Sequence, residues 1–160
     1  MSDEMPVAVM IVEDDPLTRD AWIAKVSQDP GLVVAEACAN LEEGRAALAN
    51  TAASVALIDL GLPDGDGTEL IRLATARTPP IEVMVMTVFG DERHVIRAIE
   101  AGATGYLLKD ADASSVAQGI HDLLAGGSPI STSELMVTEA PGRPSPPWSV
   151  TVPMMRPVVD

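Results

Sequence analysis

The chain has 160 residues, 47% of them hydrophobic and 21% charged; that suits one domain with an extension and excludes disorder throughout. A net charge of −14 repels phosphate backbones, so direct nucleic-acid binding is not expected. The acidic start Met1-Ser2-Asp3-Glu4 lacks the basic segment of a secretory signal, and no apolar stretch approaches the ~20 residues of a membrane helix; a cytoplasmic protein is expected.

In chain order, the run Val7–Val12 is short and apolar throughout, as a buried parallel strand is. Pro16 suits the first turn of a helix in which Trp22 and Val26 repeat at i, i+4. A second strand spans 32–37, and Asn40 with Glu43 reads as a capping box opening a second helix that runs through Leu48. Cys38, the only cysteine, has no partner for an internal disulfide and reads as a small buried hydrophobe. A third strand spans 54–58. Helix three spans 69–77 and stops before Pro79-Pro80. Residues 81–86 form a fourth strand and 91–101 a fourth helix, with Val95 and Ile99 on one face and Gly102 ending it. Gly105–Leu108 is a fifth strand. Asp112 caps a last helix carrying Val116, Ile120, Leu123 and Leu124, which Gly126-Gly127 terminates.

Five strands alternating with five helices predict right-handed crossovers and a doubly wound five-stranded parallel sheet, flavodoxin-like, in strand order 2-1-3-4-5. This domain is expected over 1–130. Residues 131–160 read as a Pro-rich, unstructured tail, with six prolines between 138 and 160 and no amphipathic period.

In such a fold the ligand site lies at the carboxyl ends of the strands. Strand one is followed there by Glu13-Asp14-Asp15 and strand three by Asp59; strand four ends in Thr87 and strand five in Lys109. Clustered carboxylates repel unless a cation intervenes. An all-oxygen set with open positions suits Mg²⁺. Lys109 can hold a phosphoryl oxygen and Thr87 can donate to another. An aspartate carboxylate is a competent nucleophile toward phosphorus. Asp15 reads as a peripheral charge or helix cap, and His94 and His121 as solvated.

Across residues 6–127 the chain resembles the receiver family of two-component signalling. The motifs are MIVEDDPLTR (10–19), VALIDLGLPDGDG (55–67), VMVMTVFGD (83–91) and GATGYLLKD (102–110). The last of these, followed by a helix ending in AGGSPIS, is similar to the NarL/FixJ-type branch. The resemblance implies that Asp59 takes a phosphoryl group from a sensor histidine kinase. It implies Mg²⁺ held by Glu13, Asp14, Asp59 and the backbone carbonyl of Gly61. Thr87, the Val88 amide and Lys109 would bind the phosphoryl oxygens, and Thr87 and Tyr106 would form the switch. A partner or homodimer surface on the fourth helix, fifth strand and fifth helix would respond. Such a domain catalyses its own phosphotransfer and slow dephosphorylation only.

Two positions depart from the common pattern. Glu13 is longer than the Asp often found there. Val88 is bulkier than the Ala or Gly many receivers carry beside the Thr, which bears on phosphorylation and hydrolysis rates. That branch usually continues into a helix-turn-helix output domain, and no such pattern follows here. A stand-alone receiver and a truncated or frame-altered relative both remain open, as does a receiver-fold module that works without phosphorylation. Asp64-Gly65-Asp66-Gly67-Thr68 also matches the string of haloacid-dehalogenase-type phosphatases and resembles a calcium loop. The strand has already ended at Asp59, and Thr75 stands where a calcium loop needs Glu. A Gly-rich turn into the third helix is expected instead.

Overall fold

A computed structural model describes residues 5–88 and 92–126; the tail expected over 131–160 lies outside them. The strands are β1 (Val7–Val12), β2 (Leu32–Cys38), β3 (Val55–Asp59), β4 (Glu82–Thr87) and β5 (Gly105–Leu108). They pair in parallel in the order β2-β1-β3-β4-β5, as expected. The central strands are buried on both faces, so their side chains divide by alternation into two cores. Val9, Ile11, Val55, Leu57, Met84 and Met86 face one way; Met10, Val12, Ala56, Ile58, Val83 and Val85 face the other.

The first core is covered by α1 (Pro16–Ser27), through Trp22 and Val26, and by α5 (Ala113–Leu124), through Val116, Ile120 and Leu123. The second is covered by α2 (Leu41–Asn50), α3 (Thr68–Thr75) and α4 (Glu92–Ala101). The helices contribute unequally. Among the described residues, α4 buries Val95 and Ala98, with Ile99 partly covered.

Helix starts follow from their caps. Asp15 accepts from the Thr18 amide at 2.8 Å and Asp112 from the Ser115 amide at 2.8 Å. Asn40 accepts from the Glu43 amide at 2.8 Å, as expected, but Glu43 reaches back to the amide of Ala39 at 2.8 Å and not to that of Asn40. The two remaining orphan amides of α2, on Leu41 and Glu42, are taken by Asp64 at 2.7 and 3.0 Å.

Asp64 thus has a role that a turn alone does not give it. The segment after β3 folds into a two-residue antiparallel ladder, Gly61–Leu62 with Gly65–Asp66. α3 begins after it at Thr68, whose amide donates to Asp66 at 2.9 Å. Gly67 allows this turn because a Cβ there would stand 2.7 Å from the Asp59 carbonyl oxygen and 2.9 Å from Leu60 Cα. No described helix is long and apolar enough to cross a membrane.

Candidate functional site

The register of the parallel strands assembles the site. Val12 pairs with Ile58, Asp59 with Met86, and Thr87 with Leu108. Glu13 and Asp59 are therefore level at the same edge, with Thr87 one residue and Lys109 two residues further along their strands. Alternation then separates them. Asp59 follows Leu57 onto the α1/α5 side of the sheet, where Glu13 and Lys109 also fall, whereas Thr87 and Tyr106 follow the face covered by α3 and α4. Tyr106 is buried in that second core and Thr87 is buried at the strand end.

Lys109 is the electrostatic centre. Its Nζ lies 3.1 Å from Asp59 Oδ1 and 3.2 Å from Glu13 Oε1. One oxygen from each of Glu13, Asp14 and Asp59 lies within 4.8 Å of the other two. Glu13 is 1% exposed. Its Oε2 accepts the Asp15 amide at 3.0 Å, its carbonyl accepts from Arg19 Nη1 at 2.8 Å, and its Oε1 has the ion pair but no well-directed hydrogen bond. Three carboxylates thus face one ammonium. The Thr87 hydroxyl makes a long contact of 3.4 Å with the Val88 carbonyl, readily exchanged for a better acceptor.

These groups line a cavity of about 410 Å³ together with Asp14, Gly61, Val88, Asp66, His94 and Arg97. Each expected site residue except Tyr106 lines it. Asp15 lines it too, but its Oδ2 is engaged by the Thr18 amide and hydroxyl. Asp66 and Arg97 were not expected there. They form an ion pair across the cavity rim, half exposed and so of little net strength. His94 and Arg97 stand at i, i+3 on α4, a spacing that puts both on one face and could have signalled them. His121, expected to be solvated, is exposed but pairs with Asp29 at 3.1 Å.

The two readings of Asp64 and Asp66 separate here. A phosphatase nucleophile needs a free carboxylate oxygen, yet both oxygens of Asp64 accept α2 amides, and Asp66 is divided between the Thr68 amide and Arg97.

Burial pushes the Glu13 carboxyl above its ordinary 4.5; the charge of Asp59 adds to this, while the Asp15 amide and Lys109 oppose it. Burial also weakens Lys109 as a cation, but Asp59 and Glu13 together outweigh it and hold the ammonium above its ordinary 10.5. A folded protein that keeps a proton on Glu13 where the unfolded chain has lost it becomes less stable as pH rises from 4.5 toward the folded value. The carboxylates of Asp15, Asp64, Asp66 and Asp112 are lowered by hydrogen bonds they accept, Asp15 first from the Thr18 hydroxyl and the others first from backbone amides, and they act oppositely, with stability lost as pH falls below 3.8. Urea titrations should therefore show stability declining above pH 4.5 in the native protein. The decline should vanish in Glu13→Gln; an unchanged slope in that variant would remove Glu13 as its source.

A doubly wound α/β domain with an acidic, lysine-bearing pocket at its strand ends defines the class. Residues 9–121 match the family of response regulator receiver domains, and the chain belongs to that family, the receivers of two-component systems. It is 32% identical over 122 residues to the DNA-binding transcriptional activator DevR/DosR of Mycobacterium tuberculosis, covering 76% of this chain and 56% of that protein. It is 27% identical over 140 residues to the nitrate/nitrite response regulator NarL of Escherichia coli, covering 88% of this chain and 62% of that protein. The chain therefore spans little more than half the length of these relatives. Among solved structures, a CheY-like receiver domain protein from Methanospirillum hungatei superposes with a TM-score of 0.68 at 27% identity, covering 76% of this chain and 95% of that one.

Proposed function

We propose that this receiver accepts a phosphoryl group on Asp59 from the phosphohistidine of a sensor kinase. The observation that carries the reading is the placing of Lys109 Nζ between Asp59 and Glu13 at 3.1 and 3.2 Å, with Asp14 beside them. An Asp59 carboxylate oxygen attacks phosphorus, the P–N bond breaks, and the imidazole leaves as the neutral ring after taking up a proton. Lys109 meets one phosphoryl oxygen as charge develops on it; the Thr87 hydroxyl and the Val88 amide meet the others.

A divalent cation fits these residues. The cluster holds an excess of negative charge over Lys109, all its donors are hard oxygens, and Glu13 Oε1 is buried without a hydrogen bond. Glu13, Asp14, Asp59 and the Gly61 carbonyl would hold Mg²⁺, which when bound would neutralise charge on the transferring group.

The response is a shift at Thr87 and Tyr106, which share the α4 side of the sheet, and through them at the surface of α4, β5 and α5 that docks a partner or a second copy. Beryllofluoride with Mg²⁺, an acyl-phosphate mimic, tests the reading. Amide resonances around Thr87 and Tyr106 are expected to move. An unchanged spectrum would mean that no phosphoryl pocket exists and that the fold works without phosphorylation.

A further inference from the structure

Lys109 has an aromatic neighbour besides the two carboxylates. Its ammonium stands 6.0 Å from the centroid of the Trp22 ring, at the reach of a cation–π attraction. Trp22 is fully buried in α1 and the Lys109 side chain is only 26% exposed, so the pair is largely desolvated, the condition under which this attraction is strongest. One turn further along α1, Lys25 Nζ donates to the Ala111 carbonyl at 2.7 Å. That bond fixes the backbone two residues beyond Lys109, in a turn that the Ala111 amide closes on the Leu108 carbonyl at 3.0 Å. The indole N–H of Trp22 has no hydrogen-bond partner among the described residues. Leaving a buried donor unpaired is unfavourable, and a leucine would fill apolar space without it, so packing alone does not account for the indole.

We propose that Trp22 and Lys25 are positioning residues through which α1 keeps the Lys109 ammonium in place when a cation claims its carboxylate partners. A divalent ion drawn to Glu13 and Asp59 takes up the oxygens that hold Lys109 and repels the ammonium. It does not compete for the face of the Trp22 indole, and the Ala111 carbonyl is already taken by Lys25. Lys109 then stays where an arriving phosphoryl oxygen needs it, with no reorganisation at the moment of transfer. This consequence for phosphoryl binding rests on the reading of Asp59 as acceptor; the positioning itself does not.

The test keeps the shape of the ring and changes its charge distribution. In the full chain carrying Trp148→Phe, Trp22 is the remaining tryptophan. It is replaced by mono-, di- and trifluorotryptophan, which weaken the negative face stepwise with little change in volume. Lys25→Met is made separately. Two quantities are read with Mg²⁺ present: the order of the Lys109 side chain, from carbon relaxation at Cε, and the affinity for beryllofluoride. Fluorination should lower both stepwise, the affinity by up to about tenfold, while Mg²⁺ affinity stays within about twofold. Lys25→Met should loosen Lys109 with the indole intact. Lys109 order that is indifferent both to fluorination and to Lys25→Met overturns the proposal, whatever beryllofluoride does. Beryllofluoride binding to none of the forms, with Lys109 order still following fluorination, overturns the acceptor reading and leaves the positioning supported.

Discussion

Asp59→Asn should lose all acid-stable, hydroxylamine-labile labelling by a phosphodonor while remaining folded. The amide is nearly isosteric with the carboxylate but is a poor nucleophile toward phosphorus, so the loss is expected to be complete and not partial. The fold should hold because the substitution removes one of three clustered negative charges and leaves Lys109 paired with Glu13 at 3.2 Å. Relief of repulsion and loss of one ion pair oppose each other, and the net change in stability should stay within about 1 kcal/mol. Labelling that persists in a folded Asp59→Asn protein would identify another acceptor and end the present assignment.

Lys109→Met should harm both chemistry and stability. Without the ammonium the transferring group loses a positioned positive charge, and labelling should slow by about a hundredfold or more. The loss also leaves Glu13, 1% exposed, beside Asp59 and Asp14 with no other ion-pair partner among the described residues. Breaking a fully buried pair costs several kcal/mol; because the Lys109 side chain is 26% exposed, water screens part of this and about 1–3 kcal/mol is expected. The deficit should shrink when Mg²⁺ is added, since a divalent ion can take over the neutralising role. Urea midpoints measured with Mg²⁺ and with chelator decide the matter. A variant as stable as the native protein in chelator would mean that the three carboxylates are not held together at the ammonium's expense.

The strands and the four strand-end side chains were legible in the sequence because their signals are local. Each strand is an apolar run of a few residues, and Glu13, Asp59, Thr87 and Lys109 stand directly at or after the end of one. Parallel register then brings distant positions together with no further information. What was not legible depends on side chains crossing between elements. Asp64 looked like a turn residue, yet its carboxylate caps α2, more than twenty residues away in the sequence. Asp66 and Arg97 meet only because the hairpin after β3 lies beside α4. Trp22 reads from periodicity as core, which it is, and nothing local reveals that its ring faces an ammonium from β5. The ends of α3 differ for a related reason. Thr68 begins it after the N-cap Gly67, its amide held by Asp66, and the helix stops at Thr75, where 69–77 was expected.

The thin anchoring of α4 sets the scale of any signal the domain can send. Lifting Val95 and Ala98 from the sheet uncovers hydrocarbon worth about 2–4 kcal/mol. Charge-assisted hydrogen bonds to a phosphoryl group are worth about 1.5–3 kcal/mol each. On the proposed function, a phosphoryl group on Asp59 would command enough free energy to shift this helix, whereas uprooting α5, with Val116, Ile120 and Leu123 sunk in the opposite core, would lie beyond its means. Asp59 projects on the α1/α5 side, but His94 and Arg97 of α4 line the same cavity, so the lever meets the trigger at the sheet edge from the side where least ballast must be moved.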